Sequence, residues 1–363
     1  MGTKRVWSLS AYQEGDERGI LELYKAVYPG KNYDPEQWMR WWRWMYKENP
    51  AGNIKIWLAK HDGKIVGQSA VVPAMMKVCT EVVTAFQAID TMTHPEYRRQ
   101  GIYETLATTS YDQVAKEGIH IGFRFPNEIA RLIAVTKLGW FDIAPRQCWV
   151  KPINWKNVVK YQVNNRFLSR LLTTCVFSVL NKVFIRARKA PVVEGLTISE
   201  VSSFDDRINE FWSRISNQYK IILVRDKDYL NWRYVTIPDI TYSIYVAEKV
   251  GEIYGYLVLR CNQVEKQTII GIIYDIMAQS EQIAQYLISK AVKHFQQEKV
   301  DLVYCKMMAN KTLYKAFRKN GFISIPFIKG GRFCVYSSSY RFSKETLKDP
   351  RNWFVQIGDS DSL

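Results

Sequence analysis

The sequence repeats one succession of motifs in its two halves, and this internal repeat restricts the possible folds more than any other feature. Each half has an aromatic–arginine segment, then a glycine turn between two alternating apolar stretches, then a further glycine. These landmarks are Trp42–Trp44, Gly63 and Gly67 in the first half, and Trp232–Tyr234, Gly251 and Gly255 in the second. The alternation of apolar residues around each glycine turn predicts a β-hairpin in both halves.

Each half then continues to a predicted helix with basic residues in its last turn. The helix "NEIARLIAVTKLGW" stops at Gly139 and the helix "NKTLYKAFRKNGF" stops at Gly321, as expected for glycine after a helix C-terminus. We therefore predict an α/β protein with mixed sheets, in which two copies of one fold are joined by a basic connector. The 363 residues suffice for two domains, and a hydrophobic content of 47% suffices for their cores. The predicted segments are a first domain, a connector, a degenerate second domain and a tail, at residues 1–155, 156–193, 194–345 and 346–363.

The segment "DTMTHPEYRRQGIYETLA", residues 90–107, changes from strand to helix at a turn that carries Arg98, Arg99 and Gly101. The first N–H groups of a helix are unpaired and lie at the positive end of its dipole, so a helix start of this kind binds phosphate. Glycine lets the backbone come close to such an anion. The matching segment of the second half passes through Gln279 and Ser280 instead. Only the first copy is therefore predicted to hold an anion.

The order of these elements resembles the GNAT superfamily of acyl-CoA-dependent N-acyltransferases over most of residues 5–150. The coenzyme A loop of that family, Arg/Gln-x-x-Gly-x-Gly/Ala, is matched here by Arg98-x-x-Gly101-x-Tyr103, with a tyrosine in place of the small last residue. Tandem copies with one intact loop are similar to the arrangement in N-myristoyltransferases, mycothiol synthase and the Fem-type aminoacyl-transferases.

The resemblance implies that acetyl-CoA or another acyl-CoA is the co-substrate. Its diphosphate would bind at the turn, and its pantetheine arm would pair with the preceding strand, which should splay from its neighbour. The positions that the resemblance assigns to acyl-CoA binding are Thr91, Met92, Thr93, Arg98, Arg99, Gln100, Gly101, Ile102, Tyr103 and Asn127. No metal is expected, because the six cysteines and four histidines are scattered without metal-ligand spacing.

Direct acyl transfer to an amine needs a base for the ammonium proton. The tyrosine that many family members carry four residues before the helix-ending glycine is replaced by Val135 and Phe317. Asp90, on the strand that should line the cleft, is our first candidate for the base, although Asp275 takes the corresponding place in the second copy and a shared structural role stays open. The second candidate is the terminal carboxylate of Leu363, by resemblance to N-myristoyltransferases; the alternative for that segment is a frayed terminus.

The formal net charge of +16 is concentrated in the connector. Between Ile143 and Val193 there are ten Lys and Arg and no Asp or Glu, which favours anionic partners. Residues 164–191 have apolar positions at helical spacing, but their apolar core is too short to span a bilayer. This helix either packs on the protein or lies at an anionic membrane surface. We expect a cytoplasmic protein, with peripheral membrane contact as the second interpretation.

These features predict an N-acetyltransferase that acts on a primary amine of an anionic small molecule or of an amino-sugar precursor. Trp38, Trp41 and Trp42 share one face of a predicted helix and belong either to the core or to a surface that stacks on the acceptor. Two other functions stay open. One is a Fem-type transferase that uses aminoacyl-tRNA, although the intact loop argues against it and nucleic acid is not an expected partner. The other is a non-catalytic acyl-CoA-binding module.

Overall fold

A computed structural model describes residues 6–31, 33–154, 193–264, 268–308, 310–325 and 332–361. The predicted connector helix at 164–191 and the terminal Leu363 lie outside the described residues. In the described part the chain forms sixteen strands and nine α-helices. None of these helices is both long enough and apolar enough to cross a lipid bilayer.

The strands are β1 Ser8–Ala11, β2 Lys55–His61, β3 Lys64–Val78, β4 Glu81–Thr93, β5 Ile121–Arg124, β6 Phe141–Pro145, β7 Gln147–Pro152, β8 Thr197–Val201, β9 Ile221–Leu223, β10 Ser243–Lys249, β11 Glu252–Val264, β12 Thr268–Ala278, β13 Leu302–Met307, β14 Ile323–Ile325, β15 Arg332–Ser337 and β16 Trp353–Phe354. The helices are α1 Glu17–Val27, α2 Pro35–Tyr46, α3 Ile102–Lys116, α4 Glu128–Lys137, α5 Arg207–Ile215, α6 Lys227–Tyr234, α7 Glu281–Gln297, α8 Lys311–Lys319 and α9 Lys344–Lys348.

The chain divides into two compact units. The first unit comprises residues 1–143, 236–240 and 332–348. Its sheet has the order β1-β2-β3-β4-β5-β15-β6, with β4 and β5 parallel and the hairpin of β2 and β3 antiparallel. Helix α3 packs on this sheet through Ala107, Tyr111 and Val114, which share a buried cluster with Phe86 and Trp140. The predicted hairpin at Gly63 is confirmed.

The second unit comprises residues 144–235, 241–331 and 349–363. Its sheet has the order β8-β10-β11-β12-β13-β7-β14, with β12 and β13 parallel. Position by position, this order matches that of the first sheet. The predicted fold class, two mixed α/β copies, is confirmed, while the predicted domain boundaries stay predictions.

The sixth strand of each sheet comes from an unexpected part of the sequence. In the first unit it is β15, whose Val335 lies opposite Phe123 of β5. In the second unit it is β7, whose Trp149 lies opposite Cys305 of β13. The segment "FDIAPRQCWV" therefore forms two strands, β6 and β7, which divide at Arg146 and belong to different sheets.

Candidate active site

A cleft opens in the sheet of the first unit where two parallel strands separate. Strands β4 and β5 pair at Phe86 opposite Gly122 and at Gln87 opposite Phe123. Beyond these two positions, no described strand pairs with Ala88–Thr93 on the side of β5. The other edge of β4 stays paired with β3 as far as Thr93. The open edge therefore offers backbone N–H and C=O groups to an extended ligand.

The turn that follows β4 leads into α3 with an open, positively charged helix start. Arg99 and Gly101 both adopt left-handed backbone conformations, with φ of 63° and 72°. Gly101 is the N-cap of α3 and no side chain caps the helix. The first intrahelical bond runs from the N–H of Thr105 to the carbonyl of Gly101, so the N–H groups of Ile102 and Tyr103 precede it.

The side chains of this turn are available to a ligand. Arg98, Arg99 and Gln100 are exposed, and neither arginine forms an ion pair with another described residue. Both arginines and the helix start are therefore suited to a diphosphate.

The remaining predicted cofactor positions differ in what they can offer. Met92 is 4% exposed, so its side chain belongs to the core and only its backbone borders the cleft. The hydroxyl groups of Thr91 and Ser69 lie 3.4 Å apart. Asn127 is the N-cap of α4, where its Oδ1 accepts a hydrogen bond from the N–H of Ala130. Its Nδ2 forms no hydrogen bond with another described residue.

Asp90 lies on the open edge of β4 in a strained backbone conformation. Its φ of 48° coincides with a bulge in the β3–β4 ladder, which turns the strand locally. The hydroxyl of Tyr46 donates a hydrogen bond to its carboxylate, and Tyr24 faces the same group. Burial raises the pKa of Asp90 above its ordinary value, although the hydroxyl groups of Tyr24 and Tyr46 beside it oppose this shift. A carboxylate with a raised pKa is suited to proton transfer.

Tyr24 and Tyr46, the tyrosines beside Asp90, come from helices in which most other aromatic residues are buried. Trp38 is 6% exposed and Trp42 is 2% exposed, so these two tryptophans belong to the core rather than to a surface that stacks on an acceptor. The ring of Trp42 lies 5.3 Å from that of Tyr46, and the ring of Trp38 lies 6.5 Å from that of Trp42. The aromatic face of α2 thus fixes the Tyr46 hydroxyl against Asp90.

The second unit places Asp275 where the first places Asp90. Each aspartate stands three residues before the one that pairs with a glycine of the neighbouring strand, Thr93 opposite Gly67 and Ala278 opposite Gly255. The hydroxyl of Tyr234 donates to the carboxylate of Asp275 over 3.0 Å. The two units therefore share a tyrosine–aspartate contact.

The surroundings of the two aspartates differ in charge. Asp275 is fully buried and accepts a hydrogen bond from Nε of Arg225 at 3.2 Å, while the same guanidinium pairs with Asp359 at 2.8 Å. No described Lys or Arg forms an ion pair with Asp90. Asp275 is thus a neutralised structural carboxylate, whereas Asp90 is not.

The C-terminal tail fills the cleft of the second unit. Strands β12 and β13 pair only from Ile270 to Ile272 before they separate. In the gap, the carbonyl of Val355 accepts a hydrogen bond from the N–H of Met308. The Oε1 of Gln356 accepts a hydrogen bond from the N–H of Ile276, and its Nε2 donates one to the carbonyl of Ile276. Trp353–Ser360 is buried throughout, so this stretch of the tail is not frayed.

The helix that follows the second cleft is closed to an anion as well. Ser280 is the N-cap of α7, and its hydroxyl accepts a hydrogen bond from the N–H of Ile283 at 3.3 Å. A side chain therefore takes one of the donors that α3 leaves open at Gly101. Of the two copies, the first is the one whose helix start and cleft are both open.

A separate groove of about 810 Å³ lies along α1 and α2. Arg18, Arg40 and Arg43 are among its lining residues, and Arg40 pairs with Asp239. Neither Asp90 nor the tyrosines that hold it line this groove. It is distinct from the cleft at β4.

The sequence analysis did not identify Tyr24 and Tyr46, the two tyrosines beside Asp90. Tyr46 lies two residues beyond the segment that we matched to Trp232–Tyr234, so the motif comparison did not bring it opposite Tyr234. The aspartate that both copies share could have pointed to these tyrosines, because a buried carboxylate must have hydrogen-bond partners.

A family model described as an acetyltransferase (GNAT) domain matches residues 8–140. Among solved structures, the chain is similar to a GCN5-related N-acetyltransferase from Anabaena variabilis, with a TM-score of 0.62 and 14% identity over 91% of this chain and 72% of that one. It is also similar to a probable N-acyltransferase from Enterococcus faecalis, with a TM-score of 0.61 and 10% identity over 91% and 72% of the two chains.

A third similar structure is the N-myristoyltransferase of Saccharomyces cerevisiae with bound myristoyl-CoA. Its TM-score is 0.57 and its identity 13%, over 93% of this chain and 80% of that one. No curated protein sequence matches the chain. At these identities the structural likeness establishes the fold.

Proposed function

Since residues 8–140 match the model of an acetyltransferase (GNAT) domain, we propose that the protein transfers an acyl group from acyl-CoA to a primary amine, with the reaction taking place in the cleft of the first unit. The observation that carries this proposal is the combination at β4. In the described part of the chain, β4 has an edge without a partner strand, its Asp90 carboxylate forms no ion pair, and an open helix start follows it. These three features suit an acyl carrier, a proton acceptor and a diphosphate.

In the proposed reaction, Arg98, Arg99 and the first N–H groups of α3 hold the diphosphate. The open edge of Ala88–Thr93 holds the pantetheine arm. This places the thioester near Asp90, where the carboxylate takes a proton from the substrate ammonium. The amine nitrogen then attacks the thioester carbon and a C–N bond forms. The C–S bond breaks, the nitrogen loses its second proton to solvent to give the neutral amide, and the departing thiolate takes up a proton from solvent.

We propose acetyl-CoA as the donor and an amine on an anionic molecule, such as an amino-sugar precursor, as the acceptor. The phenol groups of Tyr24 and Tyr33 interact electrostatically with Asp90, and Tyr46 forms a hydrogen bond with it. Three aromatic rings therefore lie near the carboxylate, which favours a short acyl group. The net charge of +16 favours an anionic acceptor.

The test measures thiol release from acetyl-, octanoyl- and myristoyl-CoA across a panel of amines, with CoA affinity measured by calorimetry. Acetyl-CoA binding with amine-dependent thiol release supports the proposal, and preference for a longer acyl chain corrects the donor alone. The absence of CoA binding would contradict the proposal, and retention of aminoacyl-tRNA would then favour a Fem-type transferase.

The second candidate function is a non-catalytic acyl-CoA-binding module. It is favoured by Val135 and Phe317, which stand where many GNAT enzymes carry a tyrosine acid. CoA binding without thiol release from any acyl-CoA in the presence of any amine would favour this function.

A further inference from the structure

Arg124, the last residue of β5, carries a buried charge without a carboxylate partner. The residue is 5% exposed. Its Nη2 donates a hydrogen bond to the hydroxyl of Tyr103 at 3.1 Å, and its guanidinium lies 5.4 Å from the ring centre of Trp140. Its Nε and Nη1 have no hydrogen-bond partner in the part of the chain that the structure describes.

A buried guanidinium is expensive in free energy unless an anion compensates it. Arg225 of the same chain, which is also buried, has such compensation, since it pairs with both Asp275 and Asp359. No described carboxylate plays this part for Arg124. The position is therefore suited to a charge that arrives with a ligand.

The contact between Arg124 and Tyr103 connects the buried charge to the open helix start. Tyr103 lies in the first turn of α3, next to the unpaired N–H groups that follow Gly101. Its hydroxyl already accepts a hydrogen bond from Arg124, so its own proton is free to donate, and no described residue accepts it. A hydroxyl that accepts from a cation is a stronger donor to an anion.

On the basis of the proposed function, we propose that the Tyr103 hydroxyl donates a hydrogen bond to the diphosphate of acyl-CoA. Arg124, which donates a hydrogen bond to the same hydroxyl, strengthens and positions this donor. Tyr103 is then a binding residue, and Arg124 is a positioning residue that acts through it. The tyrosine at the last position of the loop thus has a role of its own, because the buried Arg124 polarises its hydroxyl and so strengthens its hydrogen bond to the phosphate.

The test compares Tyr103→Phe, Arg124→Met and the matched control Tyr111→Phe. Tyr111 belongs to the same buried cluster, is 3% exposed, and its hydroxyl has no partner among the described residues. Calorimetry measures the affinity of each variant for CoA and for pantetheine, which lacks the phosphates.

We expect Tyr103→Phe and Arg124→Met each to weaken CoA binding by about tenfold to a hundredfold, as for a lost charge-assisted hydrogen bond. The affinity of both variants for pantetheine should be unchanged, and the affinity of Tyr111→Phe for CoA should equal that of the wild type. The double variant should lose little more than either single one, because both act on one bond. Arg124→Met should also raise the melting temperature of the unliganded protein, since it removes an unpaired buried charge.

CoA binding by Tyr103→Phe as tight as that of the wild type would overturn this inference and leave the proposed function in place. An equal loss of CoA and pantetheine affinity would overturn it too, since the effect would not then depend on phosphate. If Arg124→Met does not fold, Tyr103→Phe and Tyr111→Phe decide the question. If the wild type binds no CoA, the proposed function and the inference fail together.

Discussion

The hydroxyl of Tyr46 donates a hydrogen bond to the carboxylate of Asp90, just as the hydroxyl of Tyr234 does to that of Asp275. The two contacts differ in what surrounds them. Arg225 neutralises Asp275 and the chain's own tail covers it, whereas Asp90 has no described cation and faces an open strand edge. One structural motif therefore serves stability in the second unit and is available for chemistry in the first.

Asp90→Asn should lower kcat/KM by about 10²- to 10⁴-fold, because the amide cannot accept the ammonium proton. Folding should not suffer. The pKa of Asp90 is raised in the folded state, so its contribution to stability is present at low pH and is lost as pH rises from about 4 through the raised pKa. At neutral pH the variant should therefore be at least as stable as the wild type in chemical denaturation.

Asp275→Asn is the matched control for this substitution. It replaces a buried carboxylate that accepts hydrogen bonds from Arg225, Tyr234 and Gln356 by an amide that cannot accept all of them, and should lower the free energy of unfolding by about 1–3 kcal/mol. The base role of Asp90 would be refuted by normal turnover in correctly folded Asp90→Asn protein.

The pH dependence of the reaction should report the contact between Tyr46 and Asp90. Activity should rise with pH as Asp90 loses its proton, with a midpoint above the ordinary aspartate pKa of about 4, because burial raises the pKa of Asp90. Tyr46→Phe removes a hydrogen bond that lowers this pKa, so the midpoint should move to higher pH. A profile of kcat/KM that does not move, or moves to lower pH, contradicts this assignment.

Gly101→Ala should weaken CoA binding by at least about tenfold. Its φ of 72° disfavours any side chain and a Cβ would stand beside the open N–H groups, although it would meet no protein atom within 4 Å. Gly63→Ala is the control, since Gly63 has a φ of 75°, equally free space and a place in the β2–β3 turn. Both should lose about 1 kcal/mol of stability, and equal CoA affinities in the two variants would exclude α3 as the anion site.

Much of the fold could be predicted from the sequence because its signals are local. The glycine turns at Gly63 and Gly251 and the helix ends at Gly139 and Gly321 specify hairpins and helix termini through backbone conformation alone. The left-handed Gly101 before α3 belongs to the same class. These positions do not depend on distant partners.

The sequence could not predict that β15 joins the first sheet and β7 the second, because strand pairing is decided by distant partners. A segment such as β7 has the same apolar alternation whichever sheet it joins. The tail was ambiguous for a similar reason: Gln356 and Asp359 have no local pattern, and their roles depend on Asp275 and Arg225, far away in the sequence. Tyr46 was missed because its contact with Asp90 joins two elements that only the fold brings together.

Because the C-terminal tail occupies the cleft of the second unit, we expect each chain to bind a single CoA. Gln356 fills the gap between β12 and β13, and Ser280 caps α7, so neither the β12 edge nor the start of α7 is open to a second CoA. Calorimetric titration should therefore give one CoA per chain. A value of two would show that the tail yields its place to the ligand.

The most direct test of the account is a crystal structure of the full chain with bound CoA. We expect the diphosphate against the first N–H groups of α3, beside Arg98, and the pantetheine arm along the open edge of Ala88–Thr93, with its sulfur toward Asp90. CoA bound between β12 and β13, or anywhere that leaves the β4 edge empty, would contradict the account.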